Sequence, residues 1–345
     1  MKKLFIFLMS LMLVVGFLPS LSSASTKGLK VHFVDVGQGD ATLIQSPNGK
    51  TMLVDGGSKS SSVELVKFLK EKGVKQLDYV VATHPDADHI GGLIGVLENF
   101  KAVNFIDSGF PHTSQTYYDL LTLIDQKNIN FTVPKELDKI SLDEQLIIRV
   151  LHINDEAKDS NGASIVLKLT HNKVSFLLMG DADTSIEDYI RKKYDVSATV
   201  LKNGHHGSKT SSSAPFISQV KPKVAILSYG KNNSYGHPDT AVEARLKNVG
   251  AKTYKTAVDC DITVTSDGVK YDVASSCGKM QSKKPSTPAP VKKSDTKPAI
   301  QPKPTQTYFK NCTELRKVYP NGVGKGHPAY QSKMDRDKDG WACER

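Results

Sequence analysis

The chain has 345 residues, 39% hydrophobic and 24% charged, with a mean hydropathy of -0.32; these values exclude a polytopic membrane protein, a collagen-like chain and a wholly disordered one. The net charge is +10, yet residues 25–277 carry 29 basic against 30 acidic side chains, so charge is poor support for a nucleic-acid groove on the bulk of the chain. Four cysteines are too few for a disulfide scaffold, which leaves a hydrophobic core to hold the fold. Lys2 and Lys3 precede the apolar run Leu4–Leu18 and the small residues Ser22, Ser23 and Ala24, the pattern of a signal peptide over 1–24 that is too short to span a bilayer. Short runs rich in Val, Ile and Leu predict strands at 30–36, 41–46 and 51–54, then a helix at 61–72. A strand at 78–83 leads to helices at 90–99 and 115–127. Strands at 146–152, 164–170 and 174–180, a helix at 184–193, a strand at 198–201, a helix at 212–219, a strand at 224–228 and a helix at 239–248 follow. This order implies an α+β fold with sheets packed on each other and helices outside. Residues 278–307, rich in Pro, Lys, Ser and Thr, bury almost nothing and read as a linker between a large domain at 25–277 and a small module at 308–345.

The most informative stretch runs from Val80 to Gly92. An apolar strand delivers His84, Asp86, Asp88 and His89 within six residues, and Gly91 and Gly92 let the next helix start close by. A helix cap needs one Asp, whereas two His and two Asp on a loop after a strand suit a two-metal site. Two later segments add to it. The strand Phe176–Met179 runs into Gly180 and Asp181, with Asp183 free to cap the following helix. The strand at Val200 and Leu201 runs through Lys202 and Asn203 into His205 and His206, flanked by Gly204 and Gly207.

H-x-D-x-D-H, then G-D at a strand end, then H-H-G-S resembles the metallo-β-lactamase fold. The match is nearer to one branch of it, the soluble domain of ComEC-type DNA-uptake proteins. Phe33–Ala41, Leu53–Gly57 and Tyr235–Pro238 fall in that branch's order, so the resemblance covers about 29–275. It implies an αββα sandwich with metals at one edge between the sheets. It assigns His84 and Asp86 to a first metal and Asp88, His89 and His205 to a second, with Asp181 bridging. Asp55 becomes a carboxylate that orients ligands from behind, and His206 is placed behind the ligands as well. Asp35 and Asp40 either act as Asp55 does or only hold the Gly37–Gly39 turn. One departure stands out: Asn161 occupies the place where most of the superfamily has a His, and Asn is a weak oxygen ligand. His152 is the fallback, although a place on its strand reads better. The implied cofactors are two divalent ions, Zn²⁺ with Mn²⁺ as the alternative for so carboxylate-rich a set. Lys202, Ser208 and Lys209 are candidates to grip a substrate anion, and His237 to protonate a leaving group or contact a phosphate.

The cysteines allow three connectivities; local pairing, Cys260 with Cys277 and Cys312 with Cys343, keeps each bridge inside one unit. The C-terminal run Asp335, Asp337, Asp339 and Gly340 is the first half of an EF-hand-type loop. With Trp341, Glu344 and the upstream Tyr319–Gly322 and Gly326–Tyr330, it resembles the excalibur domain, an extracellular calcium-binding module. The expected protein is a secreted or cell-surface dinuclear metal hydrolase acting on phosphodiesters, with DNA as the expected substrate and no stable membrane span. The alternatives are hydrolysis of a lactone or small phosphoester, and a non-catalytic, calcium-dependent surface binder. The cationic linker suits an anionic cell wall or nucleic acid equally.

Overall fold

The computed structural model describes residues 28–277, 308–319, 322–335 and 341–343. The expected signal peptide and linker, together with Asp337, Asp339 and Glu344, lie outside these residues. The described residues fall into two units.

In the first unit the strands are β1 (Leu29–Phe33), β2 (Thr42–Gln45), β3 (Thr51–Val54), β4 (Gln76–Val81), β5 (Lys101–Ile106), β6 (Asn130–Thr132), β7 (Ile147–His152), β8 (Val166–His171), β9 (Val174–Leu178), β10 (Val200–Lys202), β11 (Val224–Leu227), β12 (Lys252–Lys255), β13 (Ile262–Ser266) and β14 (Tyr271–Ser275). The helices are α1 (Ser62–Glu71), α2 (Ala87–Asn99), α3 (Gln115–Gln126), α4 (Thr184–Lys193), α5 (Ala214–Val220), α6 (Thr240–Asn248) and the single turn α7 (Thr256–Asp259). An eight-stranded sheet has the order β14-β13-β1-β2-β3-β4-β5-β6, and a six-stranded sheet the order β12-β11-β10-β9-β8-β7.

Period-2 patterning explains how two sheets make three apolar layers. Met52 and Val54 of β3 point between the sheets, and Leu53 points outward beneath the helices. Val174, Phe176 and Leu178 of β9 meet them from the other sheet, with Leu177 facing out. Leu65, Leu69, Leu93 and Leu97 of α1 and α2 cover the outer face of the first sheet; Ile186, Ile190, Phe216 and Ile217 of α4 and α5 cover that of the second. The result is the expected αββα sandwich.

All six expected helices are present within a few residues. Five strands escaped the sequence reading: β5, β6, β12, β13 and β14. All three residues of β6 are exposed, and β12 reads Lys-Thr-Tyr-Lys, so edge strands like these lack an apolar signature. The disulfide Cys260–Cys277 ties the segment after α7 to the residues just beyond β14.

The second unit is built on α8 (Cys312–Val318), capped by Asn311, whose side chain accepts from the Glu314 N–H at 3.0 Å. β15 (Val323–Gly324) pairs antiparallel with β16 (Trp341–Ala342). Phe309, Leu315, Val323, Ala329 and Met334 form its core, and Cys312–Cys343 closes it. Asp335, the one described acid of the expected calcium loop, is buried and accepts from the Tyr330 hydroxyl. No helix among the described residues is long and apolar enough to cross a membrane.

Candidate metal centre

Every chemistry-bearing loop follows the C-terminal end of a parallel strand, apart from the β1–β2 loop. Asp55 follows β3, His84 to His89 follow β4, Asp181 follows β9, and His205 and His206 follow β10. Gly39 lets the β1–β2 loop lie against Asp88: a Cβ there would sit 2.1 Å from the Asp88 carbonyl oxygen. The backbone at His205 and His206 is left-handed, with φ of 46° and 54°. Two such non-glycine residues in a row carry strain of about 1–3 kcal/mol each. Neighbouring bonds hold them there: His205 N–H to Gly180 O at 3.1 Å, and Ser211 Oγ–H to Gly204 O at 2.7 Å.

The hydrogen bonds fix which nitrogen of each histidine is free. Asp55 accepts from Thr83 N–H and Thr83 Oγ–H, both at 2.8 Å. With its proton spent on Asp55, Thr83 Oγ accepts from His84 Nδ1 at 3.1 Å. His89 Nδ1 donates to Asp55 Oδ2 at 2.9 Å, and His206 Nδ1 donates to Ser228 O at 3.0 Å. Each ring therefore turns its Nε2 inward. All three Nε2 atoms are buried without a hydrogen-bond partner, as is Asp181 Oδ1.

These atoms converge on Asp181. Its carboxylate lies 3.3 Å from His89 Nε2, 3.5 Å from His206 Nε2, 3.8 Å from His205 Nε2 and 3.9 Å from His84 Nε2. Asp88 Oδ2 is 3.3 Å from His206 Nε2, and Asp86 Oδ2 is 3.7 Å from His84 Nε2. Asp86 holds the N-cap position of α2, yet its side chain makes no capping bond. Among the described residues, Asp40, His89, Asp181 and His206 each offer a ligand atom, all within 4.8 Å of one another. Buried ring nitrogens without hydrogen-bond partners, ringed by carboxylates, fit a cation.

Electrostatics point the same way. Burial opposes the charge on His206, but Asp181, Asp40 and Asp88 outweigh it and push its pKa up to about 10. Burial opposes charge on His89 too, and Asp181 and Asp55 raise it well above the ordinary value. The Asp181 and Asp88 carboxyls are held below the usual range: burial works against ionisation and the histidines overcome it. Positive charge is thus drawn to this spot, and a divalent ion would take the place of the Nε2 protons.

The structure revises several sequence expectations. His206, expected behind the ligands, points its Nε2 into the cluster, its ring held by the Nδ1–H bond to Ser228 O; His205 lies on the open side, its side chain 25% exposed. Lys202 does not face a substrate. Its side chain is 3% exposed and its Nζ lies 2.7 Å from Asp40 Oδ2, because it ends a buried strand. Ser208 is buried and its Oγ accepts from Thr210 Oγ–H at 3.0 Å, so its hydroxyl serves its own loop; Lys209 is exposed. Asp35 holds the turn by accepting from Gly37 N–H at 3.2 Å, whereas Asp40 reaches 3.3 Å from His206 Nδ1. His152 gives its Nδ1–H to Ser164 O at 2.8 Å, outside the cluster. Asn161 Oδ1 is buried without a hydrogen-bond partner. His237 sits with its ring 5.5 Å from His205 and 6.0 Å from His206. Thr83 and Ser164, which accepts from Asp181 N–H at 3.1 Å, were missed; only adjacency to His84 could have drawn attention to Thr83.

Comparison with known proteins agrees with this geometry. Residues 309–344 match the Excalibur calcium-binding domain. Over 37 of its residues the chain is 81% identical to the SPbeta prophage-derived endonuclease YokF of Bacillus subtilis, covering 11% of this chain and 12% of that protein. The larger unit is 33% identical over 260 residues to ComE operon protein 3 of Bacillus subtilis, covering 69% of this chain and 32% of that one. It is 32% identical over 232 residues to competence protein ComA of Neisseria gonorrhoeae, covering 64% and 30%. The chain spans about a third of the length of these two competence proteins. Residues 34–231 match the metallo-beta-lactamase superfamily, and with the αββα sandwich and the His and Asp cluster at its sheet edge, the chain belongs to that superfamily.

Proposed function

We propose that the large domain hydrolyses phosphodiesters in nucleic acid, DNA foremost, outside the cell. The observation that carries the reading is the convergence of four histidine Nε2 atoms on the Asp181 carboxylate. In this reading His84, Asp86 and Asp181 would hold one ion, with His205 on its open side and the buried Asn161 Oδ1 a weak oxygen donor where most of the superfamily has a histidine. Asp88, His89, His206 and Asp181 hold the second. Divalent ions held there, Zn²⁺ or Mn²⁺, would supply Lewis acidity and lower the pKa of a water in the site.

The protein's own residues supply the rest. Asp55 and Thr83 keep His89 and His84 in one tautomer, and the Asp40–Lys202 pair backs His206. The cluster opens where Asp86 and Asp88, each 34% exposed, and His205 meet solvent. His237 stands on that side, placed to exchange a proton with a leaving group, and exposed Lys209 is placed to meet a phosphate. The names of the relatives of the large domain, competence proteins, support a nucleic-acid substrate. Two disulfides and the calcium module support an extracellular place, with the basic linker at 278–307 holding the protein on an anionic wall or polymer. The test is purified protein assayed with Zn²⁺ and Mn²⁺ against single-stranded DNA, duplex DNA, RNA and a model phosphodiester. Metal-dependent cleavage of DNA is expected; turnover of a lactone or phosphomonoester alone would refute the substrate assignment.

A further inference from the structure

The row of rings leaving the metal cluster does not end at His237. Tyr235 stacks on it, centroids 5.6 Å apart and planes inclined by 23°, and His237 in turn lies 6.0 Å from His206 at 31°. Tyr235 is nevertheless 70% exposed, so one face rests on His237 and the other meets solvent. The loop that carries it is pinned. Asn233 accepts from His237 N–H at 2.9 Å and donates to His237 O at 2.7 Å. Gly230 N–H donates to Gln38 Oε1 at 3.2 Å, and Asp239 N–H to Gly207 O at 2.9 Å. Tyr235 is thus a fixed aromatic surface at the open side of the cluster, held to the loops that carry Asp40 and His206.

We infer that Tyr235 is a stacking platform for a nucleobase next to the scissile phosphate, which makes single-stranded nucleic acid the preferred substrate; the inference rests on the phosphodiesterase reading above. Every base has a π face, so stacking is tolerant of sequence. The base must be unstacked from its neighbours to reach the ring, which a duplex resists. The platform also addresses the near-neutral charge of 25–277: a domain without a strong basic groove needs a grip other than phosphate neutralisation.

The test is fluorescence anisotropy of the metal-loaded full chain with a short phosphorothioate-linked thymidine oligonucleotide and with an abasic sugar–phosphate strand of equal length. The parent protein should prefer the thymidine strand by about 5- to 100-fold in Kd. Tyr235→Ala should erase that preference, and Tyr235→Phe should keep it. A parent that binds both strands equally, or binds neither, overturns the inference, as does a preference that survives Tyr235→Ala. Base-dependent binding through Tyr235 without any cleavage of ordinary DNA would uphold the platform and count against hydrolysis, so the two failures are distinguishable.

Discussion

Replacing Lys202 with Met isolates the ion pair behind the metal cluster. Lys202 Nζ lies 2.7 Å from Asp40 Oδ2, and the side chains are 3% and 5% exposed. Truncation strands a carboxylate in a place water does not reach. Asp40 is held below the usual carboxylate range in the intact protein: burial opposes ionisation, and Lys202 and His206 outweigh it. Removing one partner of a buried pair costs about 3–5 kcal/mol, which for a domain of this size is roughly 6–20 °C in Tm. The loss should be greatest in chelator-treated protein, because a cation beside Asp181 and His206 restores part of the missing positive charge. Lys202→Met combined with Asp40→Asn removes both charges and should recover at least half of the loss. Thermal and urea unfolding, each with and without chelator, measure these differences. A Lys202→Met protein that melts within about 2 °C of the parent and shows a raised KM for an anionic substrate would mean that the lysine grips substrate and the buried pair is not a structural element.

Four other substitutions bear on separate parts of the structure. Asp181→Asn should lower DNA hydrolysis at least about 10²-fold, since errors near 1 Å in positioning reach that size, with circular dichroism unchanged; Asp183→Asn, which keeps a capping oxygen for Ser185 and Ile186, should lose no more than about 1 kcal/mol of stability, and near-normal turnover in Asp181→Asn at saturating metal would count against a two-metal site. Asn161→His should slow metal loss during dialysis against a weak chelator, measured as metal per chain; unchanged retention would show that Asn161 does not face the first ion. Glu187 is buried and accepts from Ser212 and Ser213 N–H at the start of α5, and burial raises its pKa from 4.5 to about 7. The folded state therefore binds this proton more tightly than the unfolded chain. The group's contribution is fully present below about pH 4.5 and is lost as pH rises to about 7, by about 3 kcal/mol. Glu187→Gln should flatten that section of the urea stability profile, and an unaltered slope would contradict the assignment.

The ligand-bearing loops were legible because their residue types have no cheaper use: two His and two Asp after a buried strand exceed what a helix cap requires. The two interior sheets were legible where apolar residues alternate or run together, as in Val174–Leu178. Edge strands such as β6 and β12 were not, since β6 is exposed throughout and β12 buries only Tyr254; the interior β5 and β13 were missed although each carries buried apolar residues. The roles of His205 and His206 were not separable from sequence, because both follow the same strand and the partner that orients the inner ring, Ser228 O, lies 22 residues further along the chain. Lys202 was misread for a related reason. A lysine beside an expected active site looks like a substrate contact, and only the fold shows that Asp40, 162 positions earlier in the chain, meets it in the interior.

The two sheets contribute to the cluster from opposite sides of the sandwich. Asp55 and His84 to His89 extend from the eight-stranded sheet, and Asp181 and His206 from the six-stranded one. A divalent ion held there would be a cross-link as well as a reagent: it would tie the open edge of one sheet to that of the other, much as a disulfide ties two distant segments. Binding and folding then share one free energy. Limiting metal would leave a sandwich whose catalytic edge can part while its interior stays closed, so the same ion that enables turnover also sets how tightly the seam is shut.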